Sequence, residues 1–275
     1  MNLLFSISDN FTEPLLTTLL SIRLNTPNEP LDIYVLQKEL LEKDALIHKF
    51  CQSLDMRYYP LVVGDNIFKD APANERWPES IYYRLLAHEL LPKSLDKILY
   101  LDADILCINN LLPLYNQEIA SFLYAAASHT RLEVTDMINR LRLGNQDLNS
   151  YFNSGVLLMN LVNIREHVQS ERIYSFIKDN SNILLLPDQD VLNALYGEQI
   201  LRLPDEIYNF DSRLPFLYEL MSQREYNFDW VTNHTVILHF CGKEKPWEAQ
   251  AKGKFSVLYK HYHSLTKRRI DTLKL

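Results

Sequence analysis

The chain has 275 residues, 47% of them hydrophobic and 23% charged, and a formal net charge of −7. These ordinary globular values suit one large α/β domain or two small ones, with ample length for a core. The acidic balance excludes general nucleic-acid binding, which needs a basic footprint, but leaves room for a local patch that binds phosphate. Cys51, Cys107 and Cys241 are widely spaced and form no C-x-x-C pair, so they read as reduced thiols of a cytosolic protein. Met1 to Asp9 has no basic leader and too short an apolar run for a signal peptide, and no stretch approaches a transmembrane length. None of the six glycines falls in G-x-G-x-x-G or G-x-x-x-x-G-K spacing. A bound nucleotide would therefore be held by a metal and side chains rather than by a glycine-rich loop.

In chain order, Leu3 to Ser8 predicts a first strand, and a helix follows from Thr12 to about Leu24 with Pro14 in its first turn. Leu31 to Leu36 is a second strand, about Lys38 to Leu54 a helix, and Met56 to Leu61 a third strand. This β-α-β-α-β opening implies right-handed crossovers and a mostly parallel sheet. Asp9 and Asn10 then lie beyond a strand's carboxyl end, where a base could dock, although turn-making alone accounts for them. Gly64 to Trp77 reads as a loop over the site, and Pro78-Glu79 opens a helix to about Leu91. Within it Arg84 lies among Tyr82, Tyr83, Leu85 and Leu86. It either snorkels past the core or delivers a cation to a buried anion.

The most informative run is Ile98-Leu99-Tyr100-Leu101-Asp102-Ala103-Asp104. An apolar strand delivers two acids that, two residues apart on extended backbone, point the same way. Carboxylates so close repel unless a cation sits between them, and a divalent metal is the natural occupant. Asn109 to Tyr115 is a short helix or turn, and Ser121 to Ala127 a strand. His129 to Tyr151 is polar with a helical middle, a lid or an acceptor-binding flap. Asn153 then precedes an apolar strand, and Gly155 suggests close backbone approach. Helices cover Leu161 to Glu166, Ser170 to Lys178 and Val191 to Tyr196, with Asp188 as a plausible N-cap that could also face a ligand with Gln189. Pro204 to Asn209 is a loop and Thr235 to Phe240 a late strand, leading to His239, Gly242 and Lys245. Tyr259 to Leu275 reads as a basic amphipathic helix: a solvated face, or a weak contact with anionic lipid.

In this order, the landmarks resemble the family 8 retaining glycosyltransferases, a group that includes bacterial lipooligosaccharide galactosyltransferases and has glycogenin as a relative. Phe5 to Phe11 resembles the family's nucleotide-binding strand and turn, and Leu99 to Asp104 its metal motif. Phe152 to Leu158 is similar to F-N-[AS]-G-V-L-L, Asp188 to Asn193 to D-Q-D-x-L-N, and His239 to Trp247 to H-[FY]-x-G-x-x-K-P-W. The resemblance implies a Rossmann-like α/β domain of GT-A fold with a mostly parallel sheet over residues 1–250, and a C-terminal helical tail over 251–275. It implies that Asp102, Asp104 and His239 hold a Mn²⁺, with Mg²⁺ the alternative, and that Asp102, Gly242 and Lys245 meet the diphosphate. Carboxylates plus one imidazole suit Mn²⁺ better than Mg²⁺. It further implies that Ser8 and Asn10 meet the uracil and that Arg84, Asn153, Asp188 and Gln189 line the donor sugar, with Gln189 and Asp188 nearest the chemistry. Ser8 stands where the family often has an acid.

The implied partners are UDP-glucose or UDP-galactose and a carbohydrate or glycoconjugate acceptor, and the implied location is the cytoplasm, peripheral to the inner membrane face. Two rival classes share some of these features. A haloacid dehalogenase-type phosphatase also uses D-x-D after a strand, and a non-catalytic nucleotide-sugar-binding protein could keep the fold.

Overall fold

The computed structural model describes residues 1–64, 67–68, 78–129 and 150–273. Most of the expected Gly64 to Trp77 loop, and the helical middle expected between His129 and Tyr151, lie outside the described residues. Strands β1 (Asn2–Ser6), β2 (Leu31–Gln37), β3 (Met56–Val62) and β4 (Lys97–Leu101) carry the apolar runs. Strand β5 (Ile105–Cys107) follows three residues after β4, and β6 (Tyr124–Ala127), β7 (Val156–Asn160) and β8 (Ile200–Leu203) come next. Last are β9 (Phe210–Asp211) and β10 (Ile237–His239). One sheet has the order β3-β2-β1-β4-β7-β6-β8, and a smaller one β5-β10-β9. In the larger sheet only β7 opposes its neighbours, β4 and β6. The mostly parallel α/β architecture expected from the sequence is therefore what the chain adopts.

Alternation along the strands divides the core. Leu3, Phe5, Leu99 and Leu101 pack on one face with Leu15, Leu16 and Leu19 of the helix Thr12–Asn25. Leu4, Ile98 and Tyr100 pack on the other with Tyr82, Leu86 and Val191. A strand buried on both faces reads as a continuous apolar run, which is why β1, β2 and β4 were legible. β3 is an edge strand, and it carries Pro60, a residue confined to edges because it cannot donate to a ladder. Leu106, Leu238, Phe210, Phe255 and Tyr259 form a separate cluster around the small sheet.

Several elements differ from the sequence reading for local reasons. The second helix begins at Asp44 rather than near Lys38. Gln37 Oε1 accepts from Leu41 N at 3.3 Å and Asp9 Oδ1 from Glu42 N at 2.8 Å, so side chains hold that stretch in a turn. Glu79–Leu86 is a 3₁₀ helix and only Ala87–Leu90 is α. Arg84 Nε takes the Ile81 carbonyl at 3.0 Å, an acceptor an α-helix would use itself. The helix after Leu186 starts at Pro187, so Asp188 lies in the first turn and is not the N-cap. Asp190 serves the helix entry instead, its Oδ2 accepting from Leu185 N and Leu186 N at 2.7 and 3.1 Å. The expected Pro204 to Asn209 loop contains a helical turn, Asp205–Tyr208.

The basic C-terminal helix spans Ser256–Thr272 and lies against the helix Thr12–Asn25. Thr17 Oγ1 meets His263 Nδ1 at 3.2 Å, Asn25 Nδ2 donates to Tyr262 Oη at 3.0 Å, and Arg269 bonds Ser53. Tyr259 is buried and Leu265 and Ile270 pack on the core, leaving Lys267 and Arg268 exposed. No described helix is long and apolar enough to cross a membrane.

Candidate active site

Strand direction assembles the site. Because β7 runs against β4, with Leu101 opposite Val156, the entry to β7 meets the exit from β4. Asp102 N donates to the Gly155 carbonyl at 2.8 Å, which seats Asn153, Ser154 and Gly155 beside the first acid. The chain then turns through Ala103 and Asp104 into β5, which pairs antiparallel with β10 so that Ile105 faces His239. Phe240 N donates to the Asp104 carbonyl at 3.0 Å. Two strand pairings thus bring Asp102, Asp104 and His239 together across 137 residues of sequence, counted from 102 to 239.

Ligand-capable atoms of these three residues all lie within 4.8 Å of one another. His239 Nε2 is 3.3 Å from Asp104 Oδ1 and 3.8 Å from Asp102 Oδ2, and Lys245 Nζ is 2.5 Å from Asp104 Oδ2. Burial would push the Asp104 carboxyl up, but the Lys245 and His239 cations outweigh it and hold the group below the usual carboxylate range. Burial would likewise lower His239, yet Cys241 and Asp104 beside it raise its pKa well above the ordinary imidazole value. Gly155 leaves the space: a Cβ there would stand 2.4 Å from His239 Cε1 and 2.5 Å from Asp102 Oδ2. Two carboxylates, one imidazole and a cradle only glycine keeps open fit a divalent cation. Gly155→Ala is expected to weaken metal binding by about 10- to 100-fold, in the range of lost ligand support. Calorimetric titration checks this, and an unchanged affinity would show the cradle to be dispensable.

Arg84, 6% exposed, resolves the ambiguity left by its sequence context. It delivers charge inward to one half-buried and one buried anion: Nη1 is 3.0 Å from Asp102 Oδ1, Nε 3.3 Å from Asp188 Oδ2, and Nη1 donates to the Ser154 carbonyl at 2.9 Å. Its guanidinium lies over the Tyr100 ring, whose hydroxyl donates to Asp102 Oδ1 at 2.8 Å. Burial raises the pKa of Asp188, and Arg84 and a hydrogen bond from Ser154 Oγ at 2.8 Å partly offset the rise.

A chain of amides orients these side chains. Gly155 N–H donates to Asn153 Oδ1 at 3.0 Å, which also accepts from Asn209 Nδ2 at 2.9 Å. That turns Asn209 Oδ1 toward His239 Nδ1, 2.8 Å away. An amide oxygen only accepts, so Nδ1 carries the proton and Nε2 faces the acids, the orientation a metal-ligating histidine needs. Asn153 Nδ2 and Ser154 N both donate to Gln189 Oε1, at 3.1 and 3.3 Å. Asn209, Ser154 and Tyr100 had no assigned part in the sequence reading. Asn209 lies in a short polar stretch with nothing to distinguish it, because its partners come from three separate segments.

Ser8 and Asn10 stand on the turn after β1, half-buried and exposed respectively. β1 is parallel to β4, so this turn leaves the same end of the sheet as Asp102. Phe11 packs edge-on against Trp247, ring centres 5.9 Å apart, which ties that turn to the segment bearing Lys245. Gly242 has φ of +92°, a left-handed conformation that favours glycine. It borders a groove of about 370 Å³ lined also by Arg213, Lys243, Lys245 and Lys252.

Residues 2–251 match the family model for Glycosyl transferase family 8. The chain belongs to that family. A lipopolysaccharide 1,2-glucosyltransferase of Escherichia coli is 30% identical over 255 residues, covering 90% of this chain and 73% of that protein. General stress protein A of Bacillus subtilis (strain 168) is 27% identical over 286 residues, covering 97% and 94%. The crystal structure of the galactosyltransferase LgtC with donor and acceptor sugar analogs superposes with a TM-score of 0.80 at 24% identity, covering 96% of each chain. That likeness establishes the GT-A fold. Family 8 membership makes this chain a glycosyltransferase and sets aside the phosphatase reading of its D-x-D, and the helix Ser256–Thr272 lies beyond the matched residues.

Proposed function

We propose that this family 8 enzyme transfers a hexose, glucose or galactose, from a UDP-sugar to a hydroxyl of a glycan or glycoconjugate, with retention and with dependence on Mn²⁺. The supporting observation is the convergence of Asp102, Asp104 and His239 beside the Arg84–Asp188 pair at one end of the sheet. The names of relatives that act on lipopolysaccharide agree with a cell-surface glycan as acceptor. When bound, the ion supplies Lewis-acid stabilisation of charge on the departing diphosphate. Lys245 adds a cation beside Asp104, and Gly242 opens the basic groove in which the diphosphate lies. Ser8 and Asn10 meet the base from the turn after β1, and Arg84, Asn153, Asp188 and Gln189 border the sugar.

Retention proceeds by attack on the same face rather than through a covalent adduct. Gln189 Oε1 already accepts two hydrogen bonds, and an amide is a poor nucleophile. Asp188 Oδ2 is committed to Ser154 Oγ and Arg84, which suits orienting a hydroxyl better than attacking carbon. A glycosyl adduct trapped on Asp188 and found by mass spectrometry would reverse this preference. The donor is tested with a UDP-sugar panel in Mn²⁺, reading released UDP. No release from any UDP-sugar, with or without acceptor, would leave only a binding protein. Contact with anionic lipid through the exposed Lys267 and Arg268 would be electrostatic, since the apolar side of their helix faces the protein.

Metal binding should depend on pH through His239. Its raised pKa means that a proton competes with the ion, so apparent affinity is expected to improve by up to about tenfold per pH unit as pH rises towards that value, then level off. The sign for the metal-free fold is opposite. Stabilisation from protonated His239 is complete below its unfolded value, about 6.5, and is lost as pH rises through the elevated folded value. Titrations at several pH values check both, and a flat metal affinity would remove His239 from the ligand set.

A further inference from the structure

We propose that His129, Asp211 and Cys241 form a second metal site, selective for a thiophilic dication such as Zn²⁺, with its own ligands but adjoining the Asp102–Asp104–His239 centre, the His129 and His239 ring centres lying 6.1 Å apart. Their ligand-capable atoms lie within 4.8 Å of one another, although the residues come from the end of β6, from β9 and from the turn after β10. Sulfur, nitrogen and oxygen from one residue each, with a position left open, is a donor set zinc accepts, whereas Mn²⁺ favours harder ligands. Tetrahedral zinc with ordinary bond lengths places its sulfur and nitrogen ligands about 3.5 Å apart. Cys241 Sγ stands 3.9 Å from His129 Nδ1, so a small closure completes the geometry.

An independent observation concerns the imidazole. His129 Nε2 lies 2.6 Å from the Asn209 carbonyl, which can only accept. Nε2 therefore carries a proton, and Nδ1 is the nitrogen that faces Cys241 Sγ. Metal-bound histidines are held in this way, the second nitrogen donating to a backbone carbonyl. Asp211 is buried and bonded to Arg213 through both oxygens, with Nε 2.9 Å from Oδ1 and Nη2 2.6 Å from Oδ2. Arg213 also reaches Asp211 from its backbone N–H, 3.0 Å from Oδ1, and from Nε, 3.2 Å from Oδ2, so an ion would displace the longest of these four contacts and leave the other three in place. Asn209 serves both centres, its side chain orienting His239 and its carbonyl orienting His129.

The site is tested on the whole protein with Zn²⁺ alone, in competition with a chromophoric chelator, and with Co²⁺ as a spectroscopic probe. Cys51 and Cys107 are buried in the core, with burial pushing each thiol up to about 12, so a thiolate-to-cobalt charge-transfer band would report Cys241. Wild type should show that band and bind zinc, Cys241→Ser should lose the band and weaken zinc binding by at least about tenfold, and Asp104→Asn should keep the band. His129→Asn gives a second reading in case the serine variant folds poorly. Zinc binding unchanged in both Cys241→Ser and His129→Asn, no thiolate band in wild type, or loss of the band in Asp104→Asn would each overturn the assignment. The last would place Cys241 on the first centre. This inference does not rest on the proposed sugar transfer, because its readouts are metal binding and absorbance.

Discussion

Replacing Asp104 with asparagine is expected to lower sugar transfer by about a thousandfold or more, while the protein still folds. The substitution keeps the shape of the side chain but removes a charge held close to two cations, Lys245 Nζ at 2.5 Å and His239 Nε2 at 3.3 Å. The backbone contacts that seat the residue, including the Phe240 N–H on its carbonyl, remain. Metal affinity should fall with activity, because an amide oxygen is a weaker ligand than a carboxylate. Some stability should be lost as well, since the depressed pKa of Asp104 marks a charge that favours the folded state. That contribution is present above the unfolded carboxylate value of about 3.9 and disappears as pH falls through the lower folded one. Activity, metal titration and thermal unfolding would be measured on one preparation. Full activity in the variant would refute its place in the ligand set.

Arg84→Met is expected to destabilise the fold strongly, costing about 3–5 kcal/mol. Methionine fills a similar volume, so the loss comes from charge rather than a cavity. Asp188, 5% exposed, would lose its cation, Asp102 would keep only His239 at 3.8 Å, and the Ser154 carbonyl would lose a donor. A buried ion pair is modest evidence for stability when intact, but breaking one side leaves an uncompensated charge. Urea unfolding measures the effect, and a change below about 1 kcal/mol, the range of an exposed pair, would show that water already screens this cluster. Arg84→Lys should recover only part, because one ammonium cannot reproduce contacts made by Nε and Nη1 to two acids and a carbonyl.

The strands of the large sheet were legible because burial on both faces leaves an uninterrupted apolar signature, as in Leu31 to Leu36 and Ile98 to Leu101. The paired acids were legible too, but for a different physical reason. Extended alternation suggested that Asp102 and Asp104 point the same way, yet β4 ends at Leu101 and β5 begins at Ile105. The two acids occupy the turn between them and converge on His239 through the pairing of β5 with β10. Arg84 could not be decided from its neighbours, because aromatic company on a short helix is the same for a core contact and a charge delivered inward. The part played by Asn209 was invisible, since it depends on where Asn153, His129 and His239 end up in space. The helix has no side-chain cap; Asp190 instead fastens the segment leading into it, and Asp188, expected as the cap, pairs with Arg84.

That turn has a mechanical implication. Asp102 leaves the seven-stranded layer, Asp104 enters the three-stranded one, and His239 belongs to the latter, so an ion held by all three would add a clamp to the core contacts that already join the two slabs. Departure of spent donor should then require the slabs to flex, making the ease of that flexing a ceiling on throughput. Amide exchange in Ile105–Cys107 that slows when UDP and metal are added would reveal such coupling, and identical exchange in both states would deny it.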